Sequence, residues 1–99
     1  MDKTDAALAG QFYSAVLALK TQEECRSFFE DVCTIKELQD LSQRLQVAFL
    51  LAEGKNYQEI SKATSVSSAT ISRVNRCLVY GDGGYRTVIS RLKGEDKDE

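Results

Sequence analysis

The sequence predicts an all-α protein on three observations: there is no proline among the 99 residues, apolar side chains recur at helical spacing, and Thr-x-x-Glu or Asn-x-x-Glu pairs stand where those stretches begin. A chain of this length suffices for one compact domain but not two, and it buries its apolar stripes only modestly, so a second copy would help. The expected domain spans residues 1–93, and residues 94–99 form a short acidic tail.

The elements follow in order. Leu8, Phe12, Val16 and Leu19, with Ala15 on the same stripe, predict an amphipathic helix from Thr4 to Lys20, slightly weakened by Gly10. Thr21 and Glu24 have the form of a capping box, in which each side chain satisfies a free amide at a helix start. Cys25, Phe28, Phe29 and Val32 then line one face. A second box, Thr34 with Glu37, opens the longest helix, and Gly54 closes it because glycine accepts the left-handed conformation after a helix. Leu38, Leu41, Leu45 and Ala48 form its stripe. Val47, Phe49, Leu50, Leu51 and Ala52 make its second half apolar nearly all round, which calls for cover from a partner subunit and predicts a homodimer.

Between Tyr57 and Tyr80 two short helical patterns are broken after Thr64, the signature of a helix-turn-helix. Asn56 with Glu59 caps the first helix and Ser67 the second, while Ile60, Val66, Ile71 and Val74 are spaced to close the small core between them. Ser61 supplies a small residue where the helices touch. Ser65 stands at the turn position where glycine is usual, because the backbone there tends toward positive φ. At about 100° per residue, Ile71, Val74 and Leu78 cluster on one side of the second helix and Ser68, Ala69, Ser72, Arg73 and Arg76 on the other. Short side chains let a helix approach the floor of the major groove, hydroxyls bond donors or acceptors on base edges, and arginine bonds guanine or phosphate. An ordinary solvent-facing helix carries glutamate and lysine pairs instead. The expected partner is therefore double-stranded DNA. The competing reading is a helix-turn-helix kept as a protein-interaction module without DNA contact.

A net charge of -2 conceals an asymmetry: residues 1–54 carry 5 basic and 9 acidic side chains, residues 55–93 carry 7 and 2, and the tail is acidic again. The positive part coincides with the motif. Histidine is absent, no glycine-rich phosphate loop precedes a helix, and no nucleophile and base stand at a fixed spacing, so an enzyme is not expected. Cys25, Cys33 and Cys77 lack the pairing of a zinc site and read as small core residues with free thiols; neither metal nor cofactor is expected. No apolar run is long enough for a signal peptide or membrane span, which predicts a cytoplasmic protein without membrane association.

From about Phe28 to Leu92 the chain resembles the Trp repressor family, above all its TrpR-like YerC/YecD branch. The resemblance rests on Thr34, Glu37, Leu41 and Arg44 in the long helix, the closing Gly54, the run from Ser67 to Arg73, and the break Gly81-Asp-Gly-Gly84 followed by Tyr85 and a short terminal helix. Residues 1–27 match only in helical character. The resemblance implies a TrpR-like helix bundle, an interlaced homodimer with two helix-turn-helix heads, and transcription regulation, most simply repression. It also implies DNA contact from Gln58 and Lys62 on the first motif helix and from Ser67, Ser68, Ala69, Thr70, Ser72 and Arg73 at the reading end; Arg76 is expected to meet phosphate. In the family two arginines flank the indole of the corepressor L-tryptophan, and those positions correspond to Arg44 and Arg73. The glycine after the second arginine is Val74 here, and a serine one turn later is Cys77. A branched side chain beside the ring reduces the volume, and a thiol is a weak hydrogen-bond partner. The expectation is that Arg44 and Arg73 serve folding or phosphate contact rather than tryptophan, which leaves another small-molecule effector open.

Overall fold

Local capping sets where the helices begin. In a computed structural model, which describes residues 2–94, the chain forms α1 (Lys3–Leu17), α2 (Gln22–Val32), α3 (Ile35–Ala52), α4 (Tyr57–Thr64), α5 (Ser68–Tyr80) and α6 (Gly84–Leu92), with no strand among the described residues. The all-α expectation holds. Of the expected acidic tail, 94–99, only Gly94 belongs to the described residues.

The chain divides into a first unit ending at Leu38 and a second beginning at Gln39. In the first, Asp2 caps α1 by accepting the amide of Asp5 at 2.8 Å. The helix ends at Leu17 rather than Lys20, because Ala18 and Leu19 bond back to Ala15 and Val16 in tight turns before Thr21 takes the extended backbone of an N-cap. Thr21 accepts the amide of Glu24 at 3.0 Å, as expected, but the Glu24 carboxylate reaches one residue farther and accepts the amide of Lys20 at 2.7 Å. Arg26 pairs with Glu23 and, at 3.2 Å, with Glu30. Phe12, Phe28 and Phe29 meet ring to ring with centroids 5.4–6.2 Å apart, two of the three pairs edge to face. No residue of α1 or α2 is buried, and Val32, expected on the apolar face of α2, is exposed.

The second unit holds the core: Val47 and Ala48 of α3, Ile60 of α4, Val66 of the turn, Ile71, Val74 and Leu78 of α5, and Ile89 of α6. Phe49, Leu50, Leu51 and Tyr85 pack against it while half-buried. In the second half of α3, expected to need cover beyond one chain, Val47 and Ala48 are buried by the cluster to which α4, α5 and α6 contribute, Leu45, Phe49, Leu50 and Leu51 are half-buried, and Ala52 is exposed. Gly54, at φ 92°, ends α3 as expected, with the amide of Lys55 returning to the Leu50 carbonyl at 3.1 Å. Gly81 ends α5 for a different reason: a Cβ there would collide with the Cys77 carbonyl oxygen. The cysteines are free; Cys25 and Cys33 are half-buried, whereas Cys77, expected in the core, is exposed.

Candidate nucleic-acid interface

The motif is built from its turn outward. Asn56 and Glu59 form a complete capping box at the start of α4, each accepting the other's amide at 2.9 Å. At its end Ser65 adopts φ 61° and ψ 18°, the left-handed conformation anticipated for the glycine-preferring position, and its amide reaches the Ser61 carbonyl at 2.9 Å. Thr64 braces the turn: its hydroxyl donates to the Ile60 carbonyl at 2.7 Å and accepts the amide of Val66 at 3.1 Å. Val66 is thereby held in the core, and Ser67 starts α5 by accepting the amide of Thr70.

Burial divides α5 as the wheel divided it. Ile71, Val74 and Leu78 are buried, while Ser68, Ala69, Ser72, Arg73 and Arg76 are all exposed. Ser67 is exposed and Thr70 half-buried, and the Ser67 hydroxyl donates to that of Thr70 at 3.1 Å, so both take part in the cap at the N-terminal end of α5. On α4, Gln58 and Lys62 are exposed and line one open groove with Asn56, Glu59, Ser61 and Ser65. Ser61, expected where the helices touch, instead lines this groove and is exposed. Ser61 and Ser65, for which the sequence indicates only local structural roles, stand in the same groove as Gln58 and Lys62.

The two arginines of the expected corepressor site lie on different helices, Arg44 half-buried on α3 and Arg73 exposed on α5. Val74 is 2% exposed and is used by the core. Cys77 lines an apolar groove with Leu45, Tyr85 and Val88 beside the Gly81–Gly84 turn, and neither arginine is among its lining residues. Among the described residues no group of histidine, cysteine or carboxylate side chains is arranged to hold a metal, and no helix is long and apolar enough to cross a membrane.

Among the described residues, α4 and α5 joined by a tight left-handed turn form a helix-turn-helix within an all-α chain. The Trp repressor protein family matches residues 8–93, which carries the likeness into α1, well before Phe28. The chain belongs to the Trp repressor family, whose members are non-enzymatic regulators. It is 47% identical over 93 residues to YerC of Bacillus subtilis (strain 168), an uncharacterized protein, covering 94% of this chain and 89% of that one. A TrpR-like protein from Eubacterium eligens is similar in structure, with a TM-score of 0.85 and 49% identity over 88% of this chain and 90% of the other. A candidate Trp repressor from Staphylococcus aureus has the same TM-score and 38% identity, covering 94% and 96%.

Proposed function

We propose that this protein is a sequence-specific DNA-binding transcriptional regulator, a repressor, that lays α5 in the major groove. The observation that carries the reading is the division of α5 into a fully packed side and an exposed side of small, hydroxyl and arginine side chains. Ser67, Ser68, Ala69 and Thr70 stand at its N-terminal end, the end that meets base edges in this motif, with Ser72 and Arg73 following on the same face. Arg76, two turns along, meets phosphate, as do Gln58 and Lys62 from α4.

The acting form is a homodimer of the domain 1–93 in the cytoplasm, where the genome is accessible. Support for the dimer comes from the first unit, whose Leu8, Phe12, Leu17 and Ile35 remain exposed in a single chain. Two α5 helices one helical turn of DNA apart would read a palindromic operator. L-tryptophan is a poor effector for this chain, because Val74 belongs to the core and Cys77 replaces a stronger hydrogen-bond partner. Arg44 and Arg73 then serve packing and phosphate contact.

Recovery of bound genomic DNA, followed by gel shifts on the enriched sequence, tests this reading. The native protein retards the fragment, and Arg73→Glu abolishes retardation without changing the thermal midpoint. Retention of full affinity by Arg73→Glu, or failure of the native protein to enrich any sequence, would leave the motif as a protein-interaction module.

A further inference from the structure

A third cavity, of about 300 Å³, lies in the second unit, lined by Ala52, Leu78, Arg86, Ile89, Ser90 and Lys93. Its chemistry is unlike that of the α4 groove or the apolar groove beside Cys77. Leu78 and Ile89 are core residues, 7% and 5% exposed, and with Ala52 they give it an apolar base. Residues 86 and 90 of α6 and its C-cap, Lys93, fall on one face by helical spacing, which brings a guanidinium, a hydroxyl and an ammonium to the same cavity. Among the described residues no acidic side chain lines it. Arg86 is already oriented: its Nε donates to the Leu78 carbonyl at 2.9 Å, a bond spanning eight residues. The guanidinium's other four N–H donors are not needed for that bond. An apolar base, two cations and one hydroxyl, in a volume at the lower end of the range for small-molecule sites, select a compact organic anion over either a neutral apolar ligand or a bare ion.

We propose that this cavity is an effector site for a small organic anion, a carboxylate or phosphate monoester attached to a compact apolar body. Arg86 and Lys93 hold the acidic group, with Ser90 beside them, and Ala52, Leu78 and Ile89 receive the body. The site is separate from the Arg44 and Arg73 positions. Leu78 lies in α5, and its carbonyl is what positions Arg86, so an anion that draws on the guanidinium acts on the C-terminal part of the same helix whose N-terminal end reads DNA. That regulatory coupling rests on the DNA-binding reading, whereas binding of the anion does not.

Calorimetry on the full chain without DNA, using phenyl phosphate and benzoate as probes and benzyl alcohol as the neutral control, tests the site. Saturable binding of one anionic probe per chain is expected, about tenfold weaker in Arg86→Gln and roughly three- to tenfold weaker in Lys93→Gln, with no binding of the alcohol. Lys93→Gln leaves the Arg86 bond to Leu78 in place, so it remains informative if Arg86→Gln loosens the fold. No saturable binding of either anion, binding by both variants as tight as by the native protein, or equal binding of benzyl alcohol would overturn the proposal. So would weaker operator binding by these variants without any binding of the free anions, since the cavity would then meet DNA phosphate. Saturating probe should further change operator affinity at least about threefold in the native protein and not in Arg86→Gln. An unchanged affinity, in a protein whose Arg73→Glu variant has lost DNA binding, would overturn the coupling alone.

Discussion

The two units of this chain solve the problem of burial differently. In the second, eight side chains from four helices and the turn form a core around the helix-turn-helix turn. In the first, three phenylalanine rings meet, yet nothing in α1 or α2 is buried and Leu17 remains 82% exposed. The difference teaches that the helix-turn-helix unit buries a core of its own within one chain, while the N-terminal helices leave their apolar side chains exposed or half-buried. Charge divides along nearly the same line, with the acidic excess before Gly54 and the basic excess after it. The basic excess thus coincides with the helix-turn-helix, and the first unit is acidic.

The largest expected effect tests the stronger core. Ile71→Ala removes a fully buried branched side chain from the centre of the second unit and should destabilise the protein by about 3–4 kcal/mol in urea titration. Leu17→Ala should cost under about 0.5 kcal/mol if the first unit stays exposed. A cost for Leu17→Ala that rises with protein concentration would show that this side chain is covered in a dimer.

Next comes the dimer itself. Replacing both Phe12 and Leu17 by aspartate should raise the dimer dissociation constant by at least about a hundredfold, since each apolar side chain buried on association contributes roughly 1.5–3 kcal/mol. Light scattering should report twice the chain mass for the native protein at micromolar concentration and one chain mass for the variant. A native monomer that keeps its helical content on dilution would break the comparison, because the first unit would then be stable with its apolar face in water.

These two regions also differ in how much of them was legible. Thr34 with Glu37, Asn56 with Glu59, Ser67, and the left-handed Ser65 were all readable, because caps and turns are interactions over three or four residues. The exposed face of α5 was readable for the same reason, periodicity being local. The sequence placed the need for outside cover on Leu45 to Ala52; the structure buries Val47 and Ala48 and leaves apolar side chains exposed in both units, among them Leu8 and Leu17 of α1 and Tyr80 and Leu92 of the second unit, since which stripe finds a partner is decided by tertiary packing. The reach of Arg86 to Leu78 and the cavity it lines were invisible, because no spacing rule joins residues 52, 78 and 93.

A smaller effect sharpens the division of charge. DNA affinity should fall with salt at a logarithmic slope of about -4 to -5 for four to six phosphates neutralised per dimer. Arg76→Ala should flatten that slope by about one unit and weaken all sequences alike, whereas exchanges at Ser68 or Ser72 should alter base preference by about 1–3 kcal/mol per changed pair. A change of preference in the Arg76 variant, with none at Ser68 and Ser72, would mean that α5 docks by its other end.

The smallest effect asks whether the two units unfold together. Ser65 holds a left-handed backbone, which costs a non-glycine residue roughly 1–2 kcal/mol, and glycine there would remove that cost while adding roughly 0.5–1 kcal/mol of unfolded-state entropy. The hydroxyl makes no bond that would need replacing for the turn to close, since the turn is closed by the Ser65 amide and by Thr64. Ser65→Gly should therefore stabilise the second unit by about 0.5–1 kcal/mol and slow hydrogen exchange of core amides in α4 and α5 two- to fivefold. If the units are independent, amides of α1 and α2 exchange at their former rates. If a dimer makes them one cooperative unit, the slowest amides of both are protected by the same factor, and the stability of the N-terminal helices is then set by a turn to which they contribute no side chain.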